Sequence, residues 1–142
     1  MIARLVKAGG FIAFHEIRLV HVVDSLPYVP LWHLAGNLVE TACRARLPHY
    51  DVADRLIECF SEAGLPHPHL FCEALIGGGI DSPLYTWMTE TLHSFLPGLG
   101  KIGFKVSDQL NMKTLEGSLR NAVVEARSQI VAPRQVCAWA RI

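Results

Sequence analysis

Leu5-Val6-Lys7-Ala8-Gly9-Gly10-Phe11-Ile12-Ala13-Phe14-His15-Glu16 holds two elements and the break between them. Ile2, Leu5 and Val6 recur at helical spacing, so Met1 to Lys7 reads as the last turns of a helix, which Gly9-Gly10 stops. Phe11 to Ile17 is apolar on both sides until His15, the pattern of a short strand covered on both faces. A chain that opens on a helix tail and then enters such a strand is expected to be part of a larger sheet.

Downstream, Val20, Val22 and Val23 either prolong this strand or form a second extended piece before the loop from Ser25 to Pro30. Leu31 to Arg46 reads as a helix with Leu34, Leu38, Val39 and Ala42 on one face, broken by Leu47-Pro48. Asp51 is a suitable N-cap for a second helix carrying Val52, Leu56, Ile57, Phe60 and Ala63, which Gly64 ends. Leu70 to Ile76 reads as a strand and Gly77-Gly78-Gly79 as a flexible joint. A third helix, with Pro83 in its first turn, carries Leu84, Trp87, Met88, Leu92 and Phe95 and is expected to stop at Pro97-Gly98. Gly98 to Gly103 reads as loop, and Leu115, Leu119, Val123 and Ala126 mark a fourth helix from Leu110 onward. Gln135 to Ile142 alternates as a strand. The expected architecture is a single α/β unit, residues 1–142, with a three-stranded sheet, flanking helices and a helical insertion.

Composition narrows the function classes. The 142 residues carry 13 basic and 13 acidic side chains, so no cationic excess exists to neutralise the phosphates of nucleic acid or an anionic membrane. Apolar residues make up 51% and charged residues 18%, an apolar surplus that points to a larger assembly or an obligate oligomer. The longest stretch without charge, Ser25 to Val39, is interrupted by Pro27, Pro30 and Gly36 and is too short for a spanning helix. Lys7 and the apolar run after it imitate a signal peptide faintly, but His15, Glu16 and Arg18 follow at once with no cleavage site. Cys43, Cys59, Cys72 and Cys137 are widely spaced and expected to be reduced and mostly buried, with Cys72 and Cys137 as strand residues rather than nucleophiles. A cytoplasmic protein is expected.

The opening segment resembles the helix–Gly-Gly–strand step of class I S-adenosylmethionine-dependent methyltransferases, which introduces the fifth strand of a Rossmann-like sheet. Phe60-Ser61-Glu62-Ala63-Gly64-Leu65-Pro66-His67-Pro68 is similar to the step into that family's sixth strand. Ile76 to Trp87 resembles an inserted helical segment of its small-molecule members, and Val136 to Arg141 its last, antiparallel strand. The acidic-x-Gly-x-Gly-x-Gly turn that holds the cofactor in that family does not occur here, and Gly77-Gly78-Gly79 follows a late strand without a phosphate-binding Lys-Ser/Thr. The chain therefore resembles the C-terminal, acceptor-side half of such an enzyme. The resemblance implies S-adenosylmethionine as cofactor of the intact protein, none for this chain alone, and a missing N-terminal half supplied in cis or in trans.

His15-Glu16 closes the first strand, at the sheet end that faces the ligand crevice in open α/β folds. His15 is the candidate general base for an acceptor hydroxyl or thiol, and Glu16, Trp32 and Tyr85 are candidate substrate contacts. His33, Trp87 and His93 lie on segments that would roof the same cavity. Aromatics at helical spacing are more often core, the competing reading for Trp32, Tyr85 and Trp87. The seven histidines give one His-x-His pair, His67-Pro68-His69 near Cys72, without the paired spacing of a zinc site, so no metal is expected. The leading expectation is a fragment of a methyltransferase for a small-molecule acceptor, inactive alone. The alternative is a non-catalytic binding or dimerisation module derived from that fold, which would pair its first strand in a homodimer.

Overall fold

The computed structural model describes residues 5–101 and 110–142. Its first sheet grows from the opening segment. Gly9, at φ +81°, turns the chain, its N–H donates to the Ile142 carbonyl at 2.7 Å, and β1 (Phe11–Ile17) follows. The terminal strand β6 (Gln135–Arg141) lies antiparallel to β1, with Phe11 opposite Arg141 and Ile17 opposite Gln135. On its other side β6 pairs antiparallel with β3 (His69–Glu73), His69 opposite Trp139. The order is β1-β6-β3, so β1 and β3 run parallel to each other with the last strand reversed between them.

One face of this sheet is covered by α2 (Leu56–Glu62). Leu56 and Phe60 pack on Ile12, Ala138 and Ala140, and Phe60 meets Phe14 edge to face at 5.7 Å. Gly64 ends α2 as the sequence indicates. At φ +66° it lets Leu65 N–H reach the Phe60 carbonyl and its own N–H reach that of Ser61, a Schellman closure. Residues 52–54, expected in the helix, form a separate 3-10 turn (Val52–Asp54) before it.

The larger core belongs to α1 (Pro30–Arg46), α3 (Leu84–Lys101) and α4 (Leu115–Glu125). Trp32, Val39, Tyr85, Met88, Leu92, Leu119 and Val123 meet there. Pro30 opens α1 at a position where a missing N–H costs nothing. Leu47, held extended before Pro48, closes it. These helices pack on a second sheet, order β2-β5-β4, from β2 (Asp24–Leu26), β4 (Ile76–Gly77) and β5 (Gln129–Val131).

The molecule is thus a mixed α/β structure with two antiparallel three-stranded sheets instead of the one expected. The segment from Leu70 to Ile76 splits between them. β3 stops at Glu73, and Ile76 joins the other sheet as part of β4. Gly77-Gly78-Gly79 is not a loose hinge: Gly77 is in β4, and Gly78 packs against the Ser128 backbone. α3 continues past Pro97-Gly98 to Lys101, because an internal proline forfeits one helical hydrogen bond without removing the rest. The fourth helix begins at Leu115 rather than Leu110. The helix tail over Met1 to Lys7 and the loop up to Gly103 fall partly outside the described residues. Among the described residues, no helix is long and apolar enough to cross a membrane.

Candidate functional site

Because β1 and β3 are parallel, their carboxyl ends open in the same direction, toward the helical layer. A crevice of about 110 Å3 lies there, lined by Ile17, Leu75, Leu84, Trp87, Ala132, Pro133 and Gln135. Each wall has a local cause. Ala132-Pro133 links β5 to β6 and so ties the two sheets together, and Ala132 N–H donates to the Leu75 carbonyl at 2.9 Å. Leu84 and Trp87 come from the start of α3. The carboxamide of Gln135 is the polar side chain of an otherwise apolar lining.

Ile17 and Gln135 of the crevice lining belong to the sheet face turned away from α2. Strand alternation puts Ile17, Gln135 and Glu73 in one row of that face, His15, Cys137 and Phe71 in the next, and Ala13, Trp139 and His69 in a third. His15 Nε2 stands 3.5 Å from Glu73 Oε1. The His69 ring stacks on Trp139 at 4.4 Å between centroids, Phe11 lies 5.8 Å from Trp139, and Arg141 extends over Phe11. Phe11 is 63% and Phe71 52% exposed, so this face is uncovered among the described residues. Part of the apolar surplus is located there.

His15 stands two residues before Ile17 on the same sheet face, beside the crevice rather than in its lining. Glu73 is the carboxylate beside the ring, at a separation longer than an ordinary hydrogen bond. With side chains 51% and 62% exposed, the pair adds little stability. Glu16 points the other way, into a hollow of about 180 Å3 with Phe14, Val52, Cys59 and Phe60 on the α2 side. His15 and Glu16 are separated by the sheet.

Trp32 and Tyr85 are fully buried in the helical core. The indole N–H of Trp32 donates to the Asp24 carbonyl at 3.1 Å, and the Tyr85 hydroxyl to the Gly79 carbonyl at 3.0 Å. Burial pushes the Tyr85 phenol upward, with nearby Arg120 opposing. His33 stacks on Tyr28 at 4.3 Å and bonds to Ser25 Oγ at 2.9 Å. The aromatic that reaches the crevice is Trp87. The sequence puts Leu75 inside the strand from Leu70 to Ile76 and Gln135 at the start of the last strand, and neither these nor Pro133 carried a signal for a crevice. Among the described residues no three of His, Cys, Asp or Glu converge as a metal site.

The cysteines depart from expectation. Cys43 is buried, whereas Cys72 is exposed, because α2 covers β1 and β6 and leaves the edge strand β3 open. Burial, with Glu40 adding, raises the Cys43 thiol. With iodoacetamide at pH 8, Cys72 is expected to alkylate first and Cys43 last, as peptide mass spectrometry would read. The raised groups also set a sign for stability. Cys43 and Tyr85 keep their protons longer in the folded chain than in the unfolded one. Unfolding therefore releases protons at alkaline pH, and the urea midpoint is expected to fall as pH climbs through and above the ordinary thiol and phenol ranges.

No family model, curated protein or solved structure matches this chain.

Proposed function

We propose that this chain is the acceptor-side part of an S-adenosylmethionine-dependent methyltransferase with a Rossmann-like sheet, acting on a small molecule. The observation that carries the reading is strand direction. β1 and β3 are parallel and the terminal strand lies reversed between them, and a reversed last strand is what the resemblance of the closing segment implies. The uncovered sheet face and the outer edge of β1, with which no described strand pairs, suit the docking of a missing N-terminal half.

The described residues do not fit the cofactor itself. The space a cradle would need at Gly77 and Gly78 is filled by Ser82 and the Ser128 carbonyl, and the crevice is small and apolar. Held by an N-terminal half, S-adenosylmethionine would supply an electrophilic methyl group. This chain's part is to hold the acceptor between Trp87, Leu75 and Ile17, exclude water with that apolar lining, and receive the acceptor proton on His15.

The test is direct. Calorimetric titration of the 142-residue chain with S-adenosylmethionine is expected to show no binding, and translation upstream of the Met1 codon to reveal an in-frame acidic-x-Gly-x-Gly-x-Gly turn after an apolar strand. Micromolar binding by the chain alone would sink the proposal. An in-frame stop close to Met1, with light scattering showing a clean dimer, would transfer the assignment to a binding module that pairs β1 across a two-fold axis.

A further inference from the structure

A second concavity lies on the opposite, α2-bearing side of the first sheet. It is a groove of about 540 Å3, within the range of small-molecule sites. It exists because α2 covers β1 and β6 but stops short of the edge strand. Ala53, Leu56 and Ile57 form one wall, and Leu70 and Val136 the floor, with Cys72 beside them. Leu70 is 43% exposed, so the floor is accessible.

The rim carries charge. Arg18 and Arg134 stand where β1 ends and β6 begins, and the Arg18 N–H donates to the Arg134 carbonyl at 2.8 Å. Arg18 Nε bonds Asp54 at 2.7 Å. Among the described residues, the carboxylate that stands against Arg134 is Asp24, at 4.0 Å. Within the lining itself two guanidiniums face one carboxylate, and Asp24, outside the lining, stands loosely against Arg134.

We infer that this groove binds an amphiphilic monocarboxylate, its apolar body along Leu56, Ile57, Leu70 and Val136 and its carboxylate on Arg134. A planar guanidinium matches a carboxylate with two parallel hydrogen bonds, and the apolar floor selects a ligand with a tail. The site is separate from the crevice below Trp87 and does not rest on the methyl-transfer reading.

Calorimetry with decanoate and decylammonium, which share a tail and differ in charge, tests it. Decanoate is expected to bind about tenfold tighter or more. Arg134→Gln should erase that margin, and Leu70→Glu, at an exposed position, should abolish decanoate binding. Saturating decanoate should also slow alkylation of Cys72 while leaving Cys137, on the other sheet face, unchanged. Equal affinities for the two amphiphiles, wild-type decanoate binding by Arg134→Gln, or an unprotected Cys72 would each overturn the assignment. The S-adenosylmethionine titration has no bearing on this outcome.

Discussion

Gly78→Ala is expected to destabilise the protein by about 3 kcal/mol or more, from backbone strain and overpacking together. Gly78 adopts φ +142°, a conformation that side chains rarely adopt, and a Cβ there would fall on the Ser128 carbonyl oxygen. The neighbour cannot give way, because Ser128 is itself fixed. Its N–H closes the end of α4 on the Val123 carbonyl, and its hydroxyl donates to the Pro27 carbonyl at 2.6 Å. Relief would have to come from separating β4 from β5 or lifting the end of α4, and both are tied into the larger core. The loss is a large fraction of ordinary domain stability and corresponds to roughly 10 °C in melting temperature. Gly79→Ala is the control. Nothing lies within 4 Å of its Cβ position, so a change within about 0.5 kcal/mol is expected. Urea unfolding of the two variants measures the contrast, and equal midpoints would contradict it.

The same contrast explains what could and could not be read from the residues. Long elements with a full apolar period were legible. The face of α1 through Leu38, Val39 and Ala42, the α2 face through Leu56 and Phe60, and the alternation of β6 all appear where the pattern puts them. So does the helix stop at Gly64, whose chemistry is local. The second sheet was not legible. β2, β4 and β5 span two or three residues each, too few for a period, and their pairing depends on residues far apart in the chain. The glycine run misled for a related reason. Glycine serves equally for freedom and for close approach, and only Ser128, about fifty residues away, decides between them.

Site residues divide along similar lines. His15 was placed on the right end of a strand by period alone, but its neighbour Glu73 belongs to another strand and emerges only with the register. Cys72 was expected to be buried because it lies in an apolar run. That run is an edge strand that α2 does not reach, so the thiol faces solvent.

Trp32 carries the other large effect. Trp32→Ala is expected to cost about 3–5 kcal/mol, the range for removing a large aromatic from a core, since the ring is fully buried. Trp32→Phe separates the packing from the hydrogen bond. It keeps most of the aromatic volume and removes the donor to the Asp24 carbonyl, for an expected loss of about 1–2 kcal/mol. The pair also decides how Trp32 bears on ligand binding. Trp32 is fully buried in the helical core, so on the proposed function the fraction of Trp32→Phe that stays folded should bind the acceptor as wild type does. Trp87 is the opposite case. It is only partly buried and lines the crevice, so Trp87→Ala should cost less stability and, on the proposed function, more acceptor affinity. Chemical denaturation gives the first quantity, and acceptor binding by this chain joined to the N-terminal half that the proposed function expects gives the second. A Trp32→Phe protein that is fully folded yet loses acceptor affinity would mean that the helical core opens to admit the ligand. Trp32 would then be a substrate contact after all, reached through motion rather than through the crevice.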